Sequence, residues 1–426
     1  MSRAFLLSAL IYGLIFTSLV TLRGELIALA LPLGLYLIFG LWRAPESLDL
    51  QIERTLSADR VTPTADVVVT VTVHNNGSNI DELYIEDKIP HALLIRSGST
   101  HHLVRLAKDS YYTFKYTISG PRGNYSFESV HAEARDMLGL IQRTEIFKTT
   151  GQLFVFPGIR RLKYVAIRPR RTRVYAGTIP ARVGGVGTEF FSVRDYQAGD
   201  SPRVINWRVS ARHNENLYSN EYQQERVADV GIVLDGRERS NLFHAGHSIF
   251  EHSVLAAAAL ADAFLNQGNR VGLLVYSSFL GWTLPGYGKI QRERIMQALA
   301  RAQVGVSSVF AGLQHLSPRM FPAESQIVLV SPLVKDDLDV LIQLRARGYQ
   351  VMVISPDPVL FERNILPATP DVELAARVIR MERNLLIQRL HRAGIQVMEW
   401  DVSQPFDQAL RTALMRPHLA VVGRRP

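Results

Sequence analysis

The sequence has no cysteine in 426 residues. That excludes disulfides, thiolate nucleophiles and zinc held by sulfur. Charge is missing from two stretches near the amino terminus, residues 4–22 and 26–42, which are parted only by Arg23-Gly24-Glu25. Acidic residues are missing from 160–173, where Arg160, Arg161, Lys163, Arg168, Arg170, Arg171 and Arg173 fall. No Gly-Lys-Ser/Thr follows Gly184, Gly185 and Gly187, so these glycines predict a hinge or tight turn rather than a phosphate loop. No nucleophile stands beside a base in a recognisable catalytic pattern.

A chain of this length exceeds one ordinary core and predicts two or three domains. Its net charge of +9 suits an anionic membrane face, nucleic acid or an acidic partner, without choosing among them. The two uncharged stretches each approach the roughly 20 residues needed to cross a bilayer. A cleaved signal peptide is the competing reading of the first, but no small-x-small site follows it and a second apolar run does. The pair reads as a transmembrane helical hairpin over 1–45, with Pro32 tolerable in the second helix. Arg3, Arg43, Arg54 and Arg60 flank its open side, and the turn offers Arg23 against Glu25. That asymmetry predicts a two-pass protein of the cell membrane with its soluble part in the cytoplasm.

Residues 46–158 read as all-β, with strands expected at 66–73, 83–89, 111–119, 125–134 and 144–147. Turns are expected at His74-Asn75-Asn76-Gly77 and at Gly120-Pro121-Arg122-Gly123-Asn124. The spacing predicts an immunoglobulin-like β-sandwich serving as spacer and interaction module. His101-His102 reads as an exposed loop pair. The basic run lies in a linker and signature module over 159–226. It is either a solvated linker or a contact with anionic lipid, the latter worth about 1 kcal/mol per basic residue near a membrane. Nucleic acid is disfavoured, because aromatic residues hardly interleave with the charges.

From Val227 the pattern alternates. Strands are expected at 230–234, 270–276, 326–330, 350–354 and 396–400, and helices at 248–266, 291–302, 337–347, 371–393 and 405–414. A short antiparallel edge strand is expected at 279–284. This alternation predicts a doubly wound α/β domain over 227–426, with ligands outside the carboxyl ends of its strands.

Residues 184–213 carry charges of both signs among glycines, aromatics and Trp207. Ser201 is a good helix cap with Pro202 after it, predicting a helix over 202–210. Arg194, Arg203 and Arg212 are expected to pair with Glu189, Asp195 and Asp200, and Trp207 to plug the helix against the following sheet. The cluster reads as a rigid ion-paired clasp locking the module to the sheet.

The same residues resemble the signature of the membrane-associated family called domain of unknown function 58. The matching positions are Gly185, Glu189, Phe190, Arg194, Asp195, Tyr196, Gly199, Asp200, Arg203, Ile205, Asn206, Trp207, Ala211 and Arg212. Asp195 stands where the family has Glu, and Asn206 where it has Asp. Arg122-Gly123-x-Tyr125, Asp136-Met137-Leu138-Gly139-Leu140 and Phe156-Pro157 resemble further family motifs. The resemblance implies a carboxy-terminal domain similar to the von Willebrand factor A fold. That fold binds a divalent cation through Asp-x-Ser-x-Ser after its first strand, a Thr in a later loop and an Asp after its fourth strand. Here Asp235 is kept, but Arg237 and Arg239 stand at the serine positions, Ser307 or Ser308 at the Thr, and Ser331-Pro332 at the Ser-Asp. With two serines and a carboxylate replaced, a guanidinium near Asp235 can take the metal's place, so a degenerate, metal-free site is expected. His244, His247 and Glu251 offer a weaker transition-metal pattern, if the helix starts early enough to align them.

The resemblance implies a partner among the MoxR-type AAA+ ATPases. The reading that follows is a non-enzymatic, membrane-anchored interaction or scaffold protein acting in assembly or maturation of another complex, with no cofactor. Two alternatives stand beside it: a hydrolase using Asp195, Asp200 or His213, and an outward-facing envelope or adhesion protein.

Overall fold

The computed structural model describes residues 3–42, 48–135, 142–159, 162, 173–212, 216–244, 246–307, 313, 320–322 and 324–415. The chain divides into two compact units, Met1–Phe156 and Pro157–Pro426.

In the first unit, α1 (Arg3–Thr21) and α2 (Gly24–Trp42) pack as a hairpin. Leu22 turns the chain in the left-handed region at φ 52°, and Ser18 Oγ donates to Arg23 O at 2.6 Å. Phe5, Leu10, Tyr12, Leu19, Leu29 and Leu35 are exposed, an arrangement that suits hydrocarbon and not water. By length and composition α1 can cross a membrane, and α2 adds a shorter apolar run over Gly24–Gly40.

Nine strands follow: β1 (Leu50–Leu56), β2 (Arg60–Val61), β3 (Val67–Asn75), β4 (Ile80–Asp87), β5 (Leu94–Gly98), β6 (His101–Leu106), β7 (Tyr111–Ser119), β8 (Gly123–Arg135) and β9 (Gln142–Val155). They form a four-stranded sheet, β1-β3-β7-β5, and a five-stranded sheet, β2-β9-β8-β4-β6. In β3 every second residue (Val67, Val69, Val71, Val73) is buried, as the β-branched alternation demands of a strand with one face inward. These valines share a core with Leu83, Ile85, Phe127 and Val130 of the other sheet. The strand expected at 144–147 is a small part of the 14-residue β9. His101 and His102 stand in β6 and not in a loop, with the His102 ring 4.2 Å from that of Phe114. Pairing with β4 draws them into the ladder, His101 opposite Glu86.

One ion pair lies inside the sandwich. Arg54 on β1 and Asp87 at the end of β4 have fully buried side chains, with Arg54 Nε 3.0 Å from Asp87 Oδ2. The Tyr116 hydroxyl on β7 donates to the same oxygen at 2.6 Å, and Arg54 also donates to the carbonyls of Ser129 and Thr149. The Arg54, Asp87 and Tyr116 side chains are therefore each met, as burial requires, while the buried Thr149 hydroxyl beside them has no partner among the described residues. Burial, then the Asp87 charge and its hydrogen bond, push the Tyr116 hydroxyl far above its ordinary pKa.

The second unit opens with a two-stranded antiparallel ribbon, β10 (Arg173–Asp195) with β11 (Tyr218–Val227). Gly184, Gly185 and Gly187 fall inside β10, so the expected hinge is instead strand. Its register slips between Ala181 and Gly184 and again between Gly185 and Phe190, which is how glycines accommodate bulges. Between the strands lie a 3₁₀ turn (Pro202–Val204) and a four-residue helix, α3 (Trp207–Ser210). Of the basic run, 160–161 and 163–172 lie outside the described residues.

The doubly wound domain follows. Its strands are β12 (Asp229–Asp235), β15 (Arg270–Tyr276), β16 (Leu280–Gly286), β17 (Gln326–Val330), β18 (Gln350–Pro356) and β19 (Gln396–Trp400). Its helices are α4 (Ile249–Asn266), α5 (Gly288–Arg301), α6 (Asp337–Ala346), α7 (Pro358–Arg363), α8 (Pro370–Arg392) and α9 (Phe406–Met415). A small hairpin, β13 (Phe243–His244) with β14 (His247–Ser248), precedes α4. The sheet order is β16-β15-β12-β17-β18-β19, parallel except for β16. Counted within this sheet that is 3-2-1-4-5-6, so the chain reverses direction between β12 and β17 and opens a crevice at their carboxyl ends. Val233, Leu274, Leu329 and Val353 form a core with Leu341, Leu344 and Leu390 from α6 and α8. The apolar α4, itself long enough to span a membrane, is instead the buried core helix.

Candidate functional site

Two clusters were marked by the sequence, and both are built around an aspartate. The first lies at the reversal point of the sheet. β12 delivers Asp235 to its carboxyl end, wholly buried. The chain turns back at once, and Arg237 folds onto that aspartate: Nε donates to Oδ1 at 2.8 Å and Nη2 to Oδ2 at 2.7 Å. The other edge of the same guanidinium donates to both oxygens of Asp337, each at 2.8 Å. Arg237 is 2% exposed, so this is a two-sided bidentate bridge inside the protein. Ser331, the residue just after β17, donates to Asp235 at 2.6 Å.

The two carboxylates drive the Arg237 pKa up despite a burial that lowers it. Asp337 is raised, because loss of water outweighs the pull of the guanidinium. The neighbouring strand ends are saturated as well. Ser355 Oγ donates to Ser331 O at 2.9 Å, and the buried Arg383 donates to Ser355 Oγ and Pro332 O, each at 2.7 Å. A divalent cation needs several free oxygen donors. Here both carboxylates are taken on two sides by one cation already, so these residues do not fit a metal ion.

The other expected positions scatter. Arg239 points outward to an exposed pair with Asp336 at 3.2 Å. Ser307 is half-buried and Ser308 lies outside the described residues. Pro332 contributes only its carbonyl. Asp337, the second anchor of Arg237, was not foreseen. Its signal was faint: an acidic pair, Asp336-Asp337, shortly after β17, the third parallel strand. His244 and His247 face each other across the β13–β14 hairpin, while the helix starts only at Ile249 under a Ser248 cap. They therefore do not share a helical face with Glu251, and the described residues contain no group of three metal-type ligands.

The second cluster is the clasp. Gly199, at φ 113°, permits the tight turn that brings Asp200 back over the end of β10. Asp200 Oδ1 accepts from Arg194 Nη2 at 2.7 Å. Its Oδ2 accepts from the Gln197 N–H at 3.0 Å and from Ser219 Oγ on β11 at 3.2 Å. Arg194 also lies 3.8 Å from Glu221, and Tyr196 donates to Asp200 O at 3.3 Å. The Arg194 bond, then that of Gln197, hold the Asp200 carboxyl down at about 2. Asn206 caps α3 through the Val209 N–H and donates to Asn220 at 2.7 Å.

Four expectations are corrected here. The helix over 202–210 is broken in two, because Asn206 starts a second cap beside β11 instead of continuing the turn begun at Pro202. Arg203 and Arg212 do not reach Asp195 or Asp200; among the described residues they and Arg208 form no ion pair, and all three are exposed. Trp207 plugs nothing: it is 65% exposed, since a four-residue helix has no buried side to offer it. The clasp binds the ribbon to itself through Ser219 and Asn220, and not to the six-stranded sheet. Asp195 is exposed on the strand end, the Glu189 side chain lies outside the described ones, and so does His213.

The family model described as "Protein of unknown function DUF58" matches residues 192–375, from the clasp through the Arg237 bridge into α8. The uncharacterized protein YeaD of Bacillus subtilis (strain 168) is 28% identical over 195 residues, 45% of this chain and 46% of that protein. The chain thus spans about half the length of the curated relative it matches. Among solved structures, the CARDB domain of the PF1109 protein from Pyrococcus furiosus, crystallised with di-metal ions, is 16% identical over 25% of this chain and 92% of that one (TM-score 0.19). A PapD-like domain of human CEP192 is 13% identical over 26% and 89% (TM-score 0.19). Likenesses so slight carry nothing about fold or activity.

Proposed function

We propose that this chain, a DUF58 protein through residues 192–375, is a membrane-anchored, non-enzymatic docking protein that presents its clasp to a protein partner. One observation carries the reading. Trp207 stands 65% exposed on a rigidly hydrogen-bonded turn, beside the exposed arginines 203, 208 and 212, none ion-paired among the described residues. Trp and Arg are the residues most often found to dominate binding energy at interfaces, and an unpaired basic rim selects an acidic counterpart. The MoxR-type AAA+ ATPase implied by the family resemblance is the partner proposed, with assembly or maturation of another complex as the role.

The carboxy-terminal domain is read as von Willebrand factor A-like. The 3-2-1-4-5-6 order with an antiparallel third strand and Asp235 closing the first supports that reading. Its metal position is taken by Arg237. Of the three candidates of the hydrolase alternative, Asp200 is a poor acid–base group because three donors hold it ionised, while Asp195 is exposed and His213 lies outside the described residues. The arginines around the hairpin support a two-pass anchor with the soluble units in the cytoplasm; protease protection in sealed vesicles checks this orientation against the outward-facing alternative.

The test of function is a binding titration of the full chain in detergent against the MoxR-type ATPase encoded in the same genome. Trp207→Ala should weaken binding about 30-fold, the loss of a central aromatic anchor. Binding unchanged by Trp207→Ala and by Arg203→Glu would refute the assignment.

A further inference from the structure

Helix α8 presents a second unmatched surface. Its inner side packs on the domain through Arg383, Ile387 and Leu390, all buried, with Ala376 half-buried one turn-pair earlier. On the opposite side Leu374, Val378, Met381 and Leu385 are 61, 51, 64 and 57% exposed. Their spacings of four, three and four residues make a straight apolar seam of a–d type, about 16 Å long at 1.5 Å per residue. A helix on the surface of a domain needs one apolar stripe; this one has two. Its first three turns bury no residue fully, although a helix of that length gains most of its stability from packing.

Charges flank the seam in a particular order. With Val378 and Leu385 at a, and Leu374 and Met381 at d, Arg377 occupies g and Glu382 the following e. In a parallel helix pair, g of one copy faces the following e of the other, five residues on. Arg377 and Glu382 are five apart, opposite in sign and exposed, and neither forms an ion pair among the described residues. The seam is therefore complementary to itself. A two-fold pairing satisfies both charges twice, as an isologous interface requires.

We propose that α8 is a self-association surface, pairing in parallel with α8 of a second copy through Leu374, Val378, Met381 and Leu385 and the reciprocal Arg377–Glu382 ion pairs. So short a seam makes a weak interface by itself. Two copies held in one membrane meet at a raised effective concentration, and in that respect the inference rests on the anchored reading above.

The natural absence of cysteine makes the test direct. Met381→Cys in the full chain, oxidised mildly in membranes, should give a disulfide-linked dimer, since a parallel seam brings the two copies' positions 381 together. Lys289→Cys, exposed on α5, should not. Adding Arg377→Glu or Glu382→Arg should lower the cross-linking about tenfold by placing like charges across the seam, and combining them should restore it. Cross-linking at 381 no faster than at 289 in both membranes and concentrated detergent, or a charge swap that fails to restore it, would overturn the proposal. So would a bimane label at 381 that shifts to the blue without any cross-linking, which would assign the seam to lipid. Detergent-solubilised chain cross-linked at high concentration separates the two readings: a dimer there with none in membranes faults the anchor and not the seam.

Discussion

Removing Asp337 is the most informative single perturbation. The Arg237 guanidinium lies between two carboxylates and 2% exposed. Asp337→Ala removes two hydrogen bonds of 2.8 Å and leaves a buried cation with one partner and an empty edge. Breaking one side of a buried pair costs about 3–5 kcal/mol, mostly the desolvation of the group left behind. For a domain of roughly 200 residues that lowers Tm by about 10 °C. The assay isolates the right unit. Of the four tryptophans, Trp207, Trp282 and Trp400 lie in the second compact unit, and the sandwich contains none. Tryptophan emission during heating of the full chain in detergent thus follows the unit that holds Arg237. Arg239→Ala is the internal control. It removes an arginine two residues away whose partner, Asp336, is 72% exposed in its side chain, and such surface pairs contribute about 0–1 kcal/mol. Near-equal shifts for the two variants, or a shift under about 2 °C for Asp337→Ala, would refute the buried bridge.

Three further outcomes follow from the same geometry. Arg237→Ser leaves Asp235 and Asp337 facing each other across an emptied space; its Tm should fall and then recover in part with 1 mM Mn²⁺, about 3 kcal/mol if the ion binds near 10 µM, while the unaltered chain ignores the ion. In the sandwich, Asp87→Ala strands the buried Arg54 and should cost about 3–5 kcal/mol, whereas Tyr116→Phe removes one donor and should cost about 1 kcal/mol; urea titration followed by far-ultraviolet dichroism separates them. Asp200 sets a pH dependence. Its folded pKa, about 2, lies below the ordinary 3.8, so its stabilisation is present above about pH 4 and vanishes as the pH falls through about 2. The Tm gap between the unaltered chain and Asp200→Asn should therefore close over that window, and a gap constant from pH 5 to pH 2 would contradict the Arg194 pairing.

Much of the architecture was legible in the sequence because the strands of a doubly wound sheet are buried on both faces. Their apolar runs end sharply, and those at 270–276, 326–330 and 396–400 fall where the pattern placed them. The β10–β11 ribbon was not legible. β10 mixes apolar residues with charges and glycines and is bulged, and β11 is mostly polar, so the ribbon carries neither the period of a strand nor the run of a buried one. The sites divided along similar lines. Arg237 beside Asp235 was readable because the two are local in sequence. Asp337 stands 100 residues further on and reads as an ordinary acidic start to α6, so only the crossing of β17 brings it under the guanidinium. Trp207 was placed inside because a tryptophan near a helix is usually core, but Asn206 cuts that helix to four residues and leaves the ring in solvent.

The Arg237 bridge constrains where recognition can occur. A metal at the reversal point of such a sheet would be exchangeable, with an open coordination position able to accept a partner's carboxylate. A guanidinium differs in each respect. It stays charged at any physiological pH, its donors are spent on Asp235 and Asp337, and it is sealed from water. The space between Asp235 and Asp337, where an ion would sit, is thereby filled by the guanidinium. On the docking reading proposed above, recognition falls to surfaces whose side chains remain unspent, namely the outer seam of α8 and the clasp with Trp207 and its arginines 203, 208 and 212, which form no ion pair among the described residues. The two surfaces carry different chemistry, a basic aromatic face and a self-complementary apolar stripe. One protein can therefore use them together, the seam joining two copies and each clasp facing outward to an acidic partner. Trp207→Ala should then spare the Met381→Cys cross-link, and Glu382→Arg should spare partner affinity per copy. Loss of both functions from either substitution would mean that the two surfaces are one.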